Sequence, residues 1–87
     1  MIDLPKSILK KAELIYSQLQ DWRRHLHQNP ELSFEEEHTS KFIQSVLRDL
    51  GVQFKSGFVK HGIIAKITGK LSGDQKLILR ADMDALP

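Results

Sequence analysis

The 87-residue chain has no cysteine, which excludes disulfide staples, thiolate metal ligands and a cysteine nucleophile. No apolar run approaches the ~18 residues of a membrane span. The opening, MIDLPKSILKK, lacks the basic and apolar regions of a secretory leader. These absences predict no membrane partner and a cytoplasmic location. With 5 glycines and 3 prolines, the composition excludes a collagenous or linker-like chain. Clustered positive charge is also missing. Thirteen basic residues face eleven acidic ones for a net +2, and the basic pairs Lys10-Lys11 and Arg23-Arg24 never extend into a run. A nucleic-acid surface gains affinity from clustered cations that release counterions, so no nucleic-acid partner is expected.

What remains is an ordinary globular balance, 40% hydrophobic and 28% charged, in a chain with room for one small domain. A chain of this length buries only about 60–65% of its unfolded surface, so a thin core is expected.

Hydrophobic periodicity divides the chain. Ile8, Ala12, Ile15, Leu19, Trp22 and Leu26 recur at three- and four-residue steps, predicting one long amphipathic helix. Pro5 suits its first turn and Asn29-Pro30 ends it. A second helix is predicted from a capping box, Ser33 bonding the N3 amide and Glu36 reaching back. Its apolar face comprises Thr39, Phe42, Ile43, Val46, Leu47 and Leu50, and Gly51 is its C′ residue. The acidic run Glu35-Glu36-Glu37 falls in its first turn, where negative charge is favoured. Strands are predicted over 52–54, 62–67 and 76–82, with Ser56-Gly57 breaking the first. The last two are expected to pair as an antiparallel hairpin across the polar loop 69–75. The order is ααβββ, an α/β arrangement. The third strand reads as apolar on both faces, a pattern of strands covered inside a sheet.

Two groups of residues invite a chemical reading. His25 and His27 lie two apart, and on a helix such residues diverge by roughly 200°, so the pair does not share one ion. His38 and His61 stand alone. Asp82 and Asp84 share a face if strand geometry persists to the end of the third strand. Carboxylates at such an end ligate metal, orient a ligating histidine or move protons. The alternative is two solvated acids at a strand-to-turn junction.

Two stretches carry a family resemblance. WRRHLHQNPELSFEE at 22–36 is similar to an opening pattern of paired basic residues, histidine, Pro-Glu-Leu-Ser and glutamate; LRADMDALP at 79–87 is similar to the strand end that introduces a catalytic half-site. Together, in this order and interval, they resemble the amidohydrolase branch of the aminoacylase–carboxypeptidase metallopeptidase family. That branch includes hippurate hydrolases, hydrolases of indoleacetyl-amino acids and N-acetyl-diaminopimelate deacetylases. Gly51, Gly62 and the strand from Ile63 fall where such proteins place equivalent elements.

The resemblance implies that 1–87 is the incomplete amino-terminal part of a mixed-sheet, zinc-peptidase-like catalytic domain. The whole enzyme would cleave the amide bond of N-acyl amino acids with two divalent metals, zinc, manganese or similar. In the family's His-x-Asp-x-x-Pro motif the histidine binds metal and the aspartate supports it. Here Asp82 stands at the histidine position, Asp84 matches the supporting aspartate and Pro87 the closing proline. Asp84 is therefore the one catalytic candidate, acting through a ligand it orients. No metal ligand or cofactor-binding residue is assigned, and the chain alone is expected to be inactive. The family's dimerisation domain implies a homo-oligomer. The rival reading is a stand-alone interaction module using an exposed sheet edge; a helix-turn-helix DNA binder is disfavoured by the acidic start of the second helix.

Overall fold

The computed structural model describes residues 3–71 and 73–87. Met1 and Ile2 of the opening and Ser72 of the 69–75 loop lie outside the described residues. Three helices, α1 (Leu4–Leu14), α2 (Tyr16–Gln28) and α3 (Glu37–Asp49), precede two strands, β1 (Gln53–Phe58) and β2 (Gly62–Lys66). The α/β character and the helix-then-sheet order match the sequence expectation; the number of elements does not.

The predicted first helix is two. At Ile15 (φ −105°, ψ 11°) the backbone leaves helical geometry, and its N–H donates to Ala12 O at 3.2 Å in a tightened turn. The apolar periodicity runs through this break unchanged, because it reports which face is apolar and not whether the hydrogen-bond ladder holds. Asp3 caps α1 by accepting from Lys6 N, with Pro5 in the first turn. No helix among the described residues is long and apolar enough to cross a membrane.

The predicted second helix begins later than expected. Glu35 N donates to Leu32 O at 2.9 Å, closing a turn in which Phe34 adopts φ 67°. That left-handed position favours glycine or asparagine, and a bulky residue there costs about 1–3 kcal/mol. Chain in this turn is not helical, so α3 starts at Glu37, and its N-cap residue Glu36 makes no side-chain cap bond. The Ser33–Glu36 capping box is therefore not formed. The other end agrees with expectation. Gly51 (φ 72°) sits at C′, its N–H donating to Arg48 O at 3.0 Å while Val52 N donates to Leu47 O at 2.9 Å. This is a Schellman closure, and only glycine takes that backbone without strain.

β1 and β2 form a two-stranded antiparallel sheet, with Phe54 opposite Ala65 and Ser56 opposite Ile63. The predicted break at Ser56-Gly57 is a bulge inside β1: Gly57 (φ 91°) is the extra residue, and pairing resumes at Phe58–Gly62. Val59 and Lys60 turn the chain with φ 48° and 74°.

Residues 76–82 are not a strand, so β2 pairs backward with β1 and not forward across 69–75. Leu77, Ile78 and Leu79 are 86–88% exposed. The stretch expected to be covered on both faces has no neighbouring strand among the described residues, and without ladder partners it has nothing to assign it to a sheet.

The core is thin, as the length requires. α3 packs on the hairpin, with Phe42, Ile43, Val46 and Leu47 of the helix and Phe54 and Ile63 of the strands half-buried; Leu50, predicted on the same helix face, is exposed. No hydrophobic side chain among the described residues is fully buried. Ser40 is, at 2% exposure, and ties helix to hairpin by donating to His61 O at 2.7 Å. The radius of gyration of 15.3 Å exceeds the ~12 Å of a compact chain of this length.

Candidate functional site

The turn before α3 is held by a carboxylate. Glu31 reaches forward to the helix start, where its Oε1 accepts from Thr39 N and its Oε2 from His38 N at 3.2 Å. With Glu36 as N-cap these are the N3 and N2 amides, among the donors that a helix start leaves unpaired. Glu31 thus does from outside the helix what Ser33 was expected to do from its end. Its negative charge also meets the positive end of the helix dipole. His38 Nδ1 lies 3.2 Å from the same Oε2. The hydrogen bonds from Thr39, and then those from His38, outweigh desolvation and lower the Glu31 pKa from the ordinary 4.5 to about 2.

The backbone of this residue faces the other way. Ala85 N donates to Glu31 O at 2.8 Å, and two residues on Ser33 Oγ donates to Asp84 Oδ2 at 3.0 Å. The 22–36 and 79–87 stretches, remote in sequence, are therefore joined by two adjacent hydrogen bonds, one backbone and one side chain. A hollow of about 310 Å³ lies at the junction, lined by Ser33, Phe34, Phe58, Ile63, Arg80 and Met83 among others.

The two aspartates part company. Asp84 turns to Ser33, while Asp82 Oδ1 pairs with Arg80 at 3.3 Å in an exposed contact. The histidines are likewise dispersed. His25 stacks on Phe42 with ring centroids 4.1 Å apart, His27 is exposed at the end of α2, His38 adjoins Glu31, and His61 contributes its carbonyl to Ser40. No group of three or more potential metal donors forms among the described residues, so these side chains do not fit the two divalent metals that the resemblance implies.

Comparison with known proteins places this arrangement. The chain is 49% identical over 65 residues to the N-acetyl-L-cysteine deacetylase of Bacillus subtilis, a match covering 75% of this chain and 15% of that protein. It is 46% identical over 66 residues to the N-acyl-L-amino acid amidohydrolase of Geobacillus stearothermophilus, covering 76% and 18%. It is 38% identical over 87 residues to thermostable carboxypeptidase 2 of Saccharolobus solfataricus, covering 92% and 21%. The chain belongs to the amidohydrolase branch of this metallopeptidase family. It spans about a fifth of the length of the curated relatives it matches. No family model matches the chain, and no solved structure does.

Within this amidohydrolase segment, sequence reasoning singled out Asp84 and missed the residues that surround it. Glu31 was read only as part of the family pattern and given no role, because its partners lie seven and eight residues ahead, outside the local capping patterns. The signal available was its place in Pro-Glu-Leu-Ser, an acid shortly before a helix start. Ser33 was singled out for a cap it does not make.

Proposed function

We propose that this chain is the amino-terminal part of the catalytic domain of a metal-dependent amidohydrolase that cleaves the amide bond of N-acyl amino acids, and that Asp84 is its contribution to the site. The names of two relatives, an N-acetyl-L-cysteine deacetylase and an N-acyl-L-amino acid amidohydrolase, support the substrate class. The observation that carries the reading is the Ser33–Asp84 hydrogen bond across 51 residues, which joins the two stretches bearing the family resemblance. A surface aspartate of no consequence would have no reason to be seated on the other of these two stretches.

On this reading the segment supplies scaffold and one positioned carboxylate. The metal ligands and the groups that activate water and protonate the departing amine would, on the same reading, come from elsewhere in the enzyme. The 87 residues alone are then inactive. A cytoplasmic, homo-oligomeric enzyme completes the reading.

The test is Asp84→Ala in the complete enzyme, assayed on N-acetyl and other N-acyl amino acids with zinc, manganese or cobalt supplied. Carboxylates that orient metal ligands typically contribute about 10–100-fold in affinity or activity, so turnover should fall at least about tenfold with the fold intact. Asp82→Asn, at a residue whose carboxylate pairs with Arg80 in an exposed contact, should matter less. Parental activity for Asp84→Ala would reject the role.

A further inference from the structure

We infer that Ser33 is a positioning residue for the reaction, its hydroxyl fixing the plane of the Asp84 carboxylate. The inference rests on the role proposed above for Asp84 and extends it to a residue on the opposite stretch. The hydroxyl donates to Oδ2 at 3.0 Å. A carboxylate has two oxygens and about four lone-pair directions, so one donor sets its orientation without saturating it. Oδ1 remains available to the group that Asp84 serves.

An exposed serine is usually free to rotate, and an exposed serine–aspartate bond usually means little. Here the backbone on either side of Ser33 is pinned. Upstream, Glu31 is held at both ends, its carbonyl by Ala85 N and its carboxylate by the His38 and Thr39 amides. Downstream, Glu35 N closes the turn on Leu32 O, and Glu36 O already accepts the first α3 bond from Ser40 N at 2.9 Å. Between these anchors Phe34 is kept in the left-handed region, a conformation that persists only where the surroundings over-determine it. The turn therefore has one shape, and that shape aims Ser33 Oγ at Asp84. Acceptor and donor are also locked together one residue beyond Asp84 and two before Ser33, since Ala85 N binds Glu31 O at 2.8 Å. A hydroxyl and a carboxylate carried on two chain segments fixed in this way form a preorganised pair.

The experiment compares Ser33→Ala, Ser33→Thr, Asp84→Asn and the Ser33→Ala/Asp84→Asn double variant in the complete enzyme, measuring kcat and KM on an N-acetyl amino acid together with the thermal midpoint. Ser33→Ala should lower kcat about three- to tenfold, less than the effect of a group that orients a ligand directly, with KM nearly unchanged. Threonine, which keeps the hydroxyl, should restore most of kcat. In the Asp84→Asn background the serine substitution should have little further effect, as two residues acting through one contact require. Full kcat in Ser33→Ala beside an impaired Asp84→Asn overturns the role of Ser33 and leaves that of Asp84 standing. Full kcat in Asp84→Asn overturns both, at the level of the proposed function. Losses that multiply in the double variant, or a loss that follows a lowered thermal midpoint and is not restored by threonine, show a structural contact only and overturn the inference.

Discussion

Replacing Glu31 with glutamine removes one negative charge from the start of α3 and keeps an oxygen able to accept from the helix amides. A pKa lowered from 4.5 to about 2 corresponds to at most about 3.4 kcal/mol, at about 1.36 kcal/mol per pH unit. The Glu31 side chain is 16% exposed, and solvent screens part of that interaction. Part of the hydrogen bonding also survives in the amide, so the substitution should cost about 1–2 kcal/mol at pH 7, in line with other helix-cap losses. The sign of the pH dependence follows from the lowered pKa. The contribution is fully present above the unfolded value of 4.5 and is lost as pH falls through about 2, below which Glu31 is mostly protonated and resembles glutamine. Urea titrations of the parent and Glu31→Gln, followed by circular dichroism from pH 7 to pH 2, should show a stability gap that closes over that window. Hydrogen exchange at pH 7 should show the His38 and Thr39 amides losing protection in the variant. Equal stability at pH 7, or a gap that persists unchanged at pH 2, would refute the capping role.

Gly62→Ala should disrupt the hairpin, because an added Cβ would lie 2.5 Å from Phe58 O. Backbone cannot yield as a side-chain tip can, so a cost of about 1–3 kcal/mol and weakened β1–β2 cross-strand contacts by NMR are expected; an unchanged hairpin would sink the argument. Ile78→Lys should reduce self-association of the 87-residue chain, since charge placed in an exposed apolar segment opposes association through it. Light scattering against concentration checks this, and identical association of parent and variant would count against it.

How much of this was legible in the sequence depended on whether the signal was local. The Schellman closure at Gly51 was readable because glycine at C′ answers a requirement within the same turn. The hairpin was not, because its reversal is made by Val59 and Lys60, both at positive φ, where asparagine and glycine are the usual residues; the glycine-bounded loop 69–75 offered a better-looking turn and drew the pairing to the wrong strand. The third strand was misplaced for a different reason. Leu77, Ile78 and Leu79 have strand-like character, but a strand exists only when paired, and no described segment pairs with them. At the site, Asp84 was found through resemblance, whereas its contact with Ser33 needed the fold, since nothing in a linear pattern relates two residues 51 apart.

That separation has a consequence for the order in which the chain assembles. Closing a flexible loop of 51 residues costs about 3.5 kcal/mol in chain entropy, before any constant term. Two hydrogen bonds return only about 0.5–1.5 kcal/mol each, so the contact between 31–33 and 84–85 cannot close first. Folding α3 and the β1–β2 hairpin, both built from contacts close in sequence, shortens the effective loop and makes closure affordable. Asp84 should therefore reach its seat last, and a chain with its helix and hairpin already formed still passes through a stage in which the two halves of the site have not met.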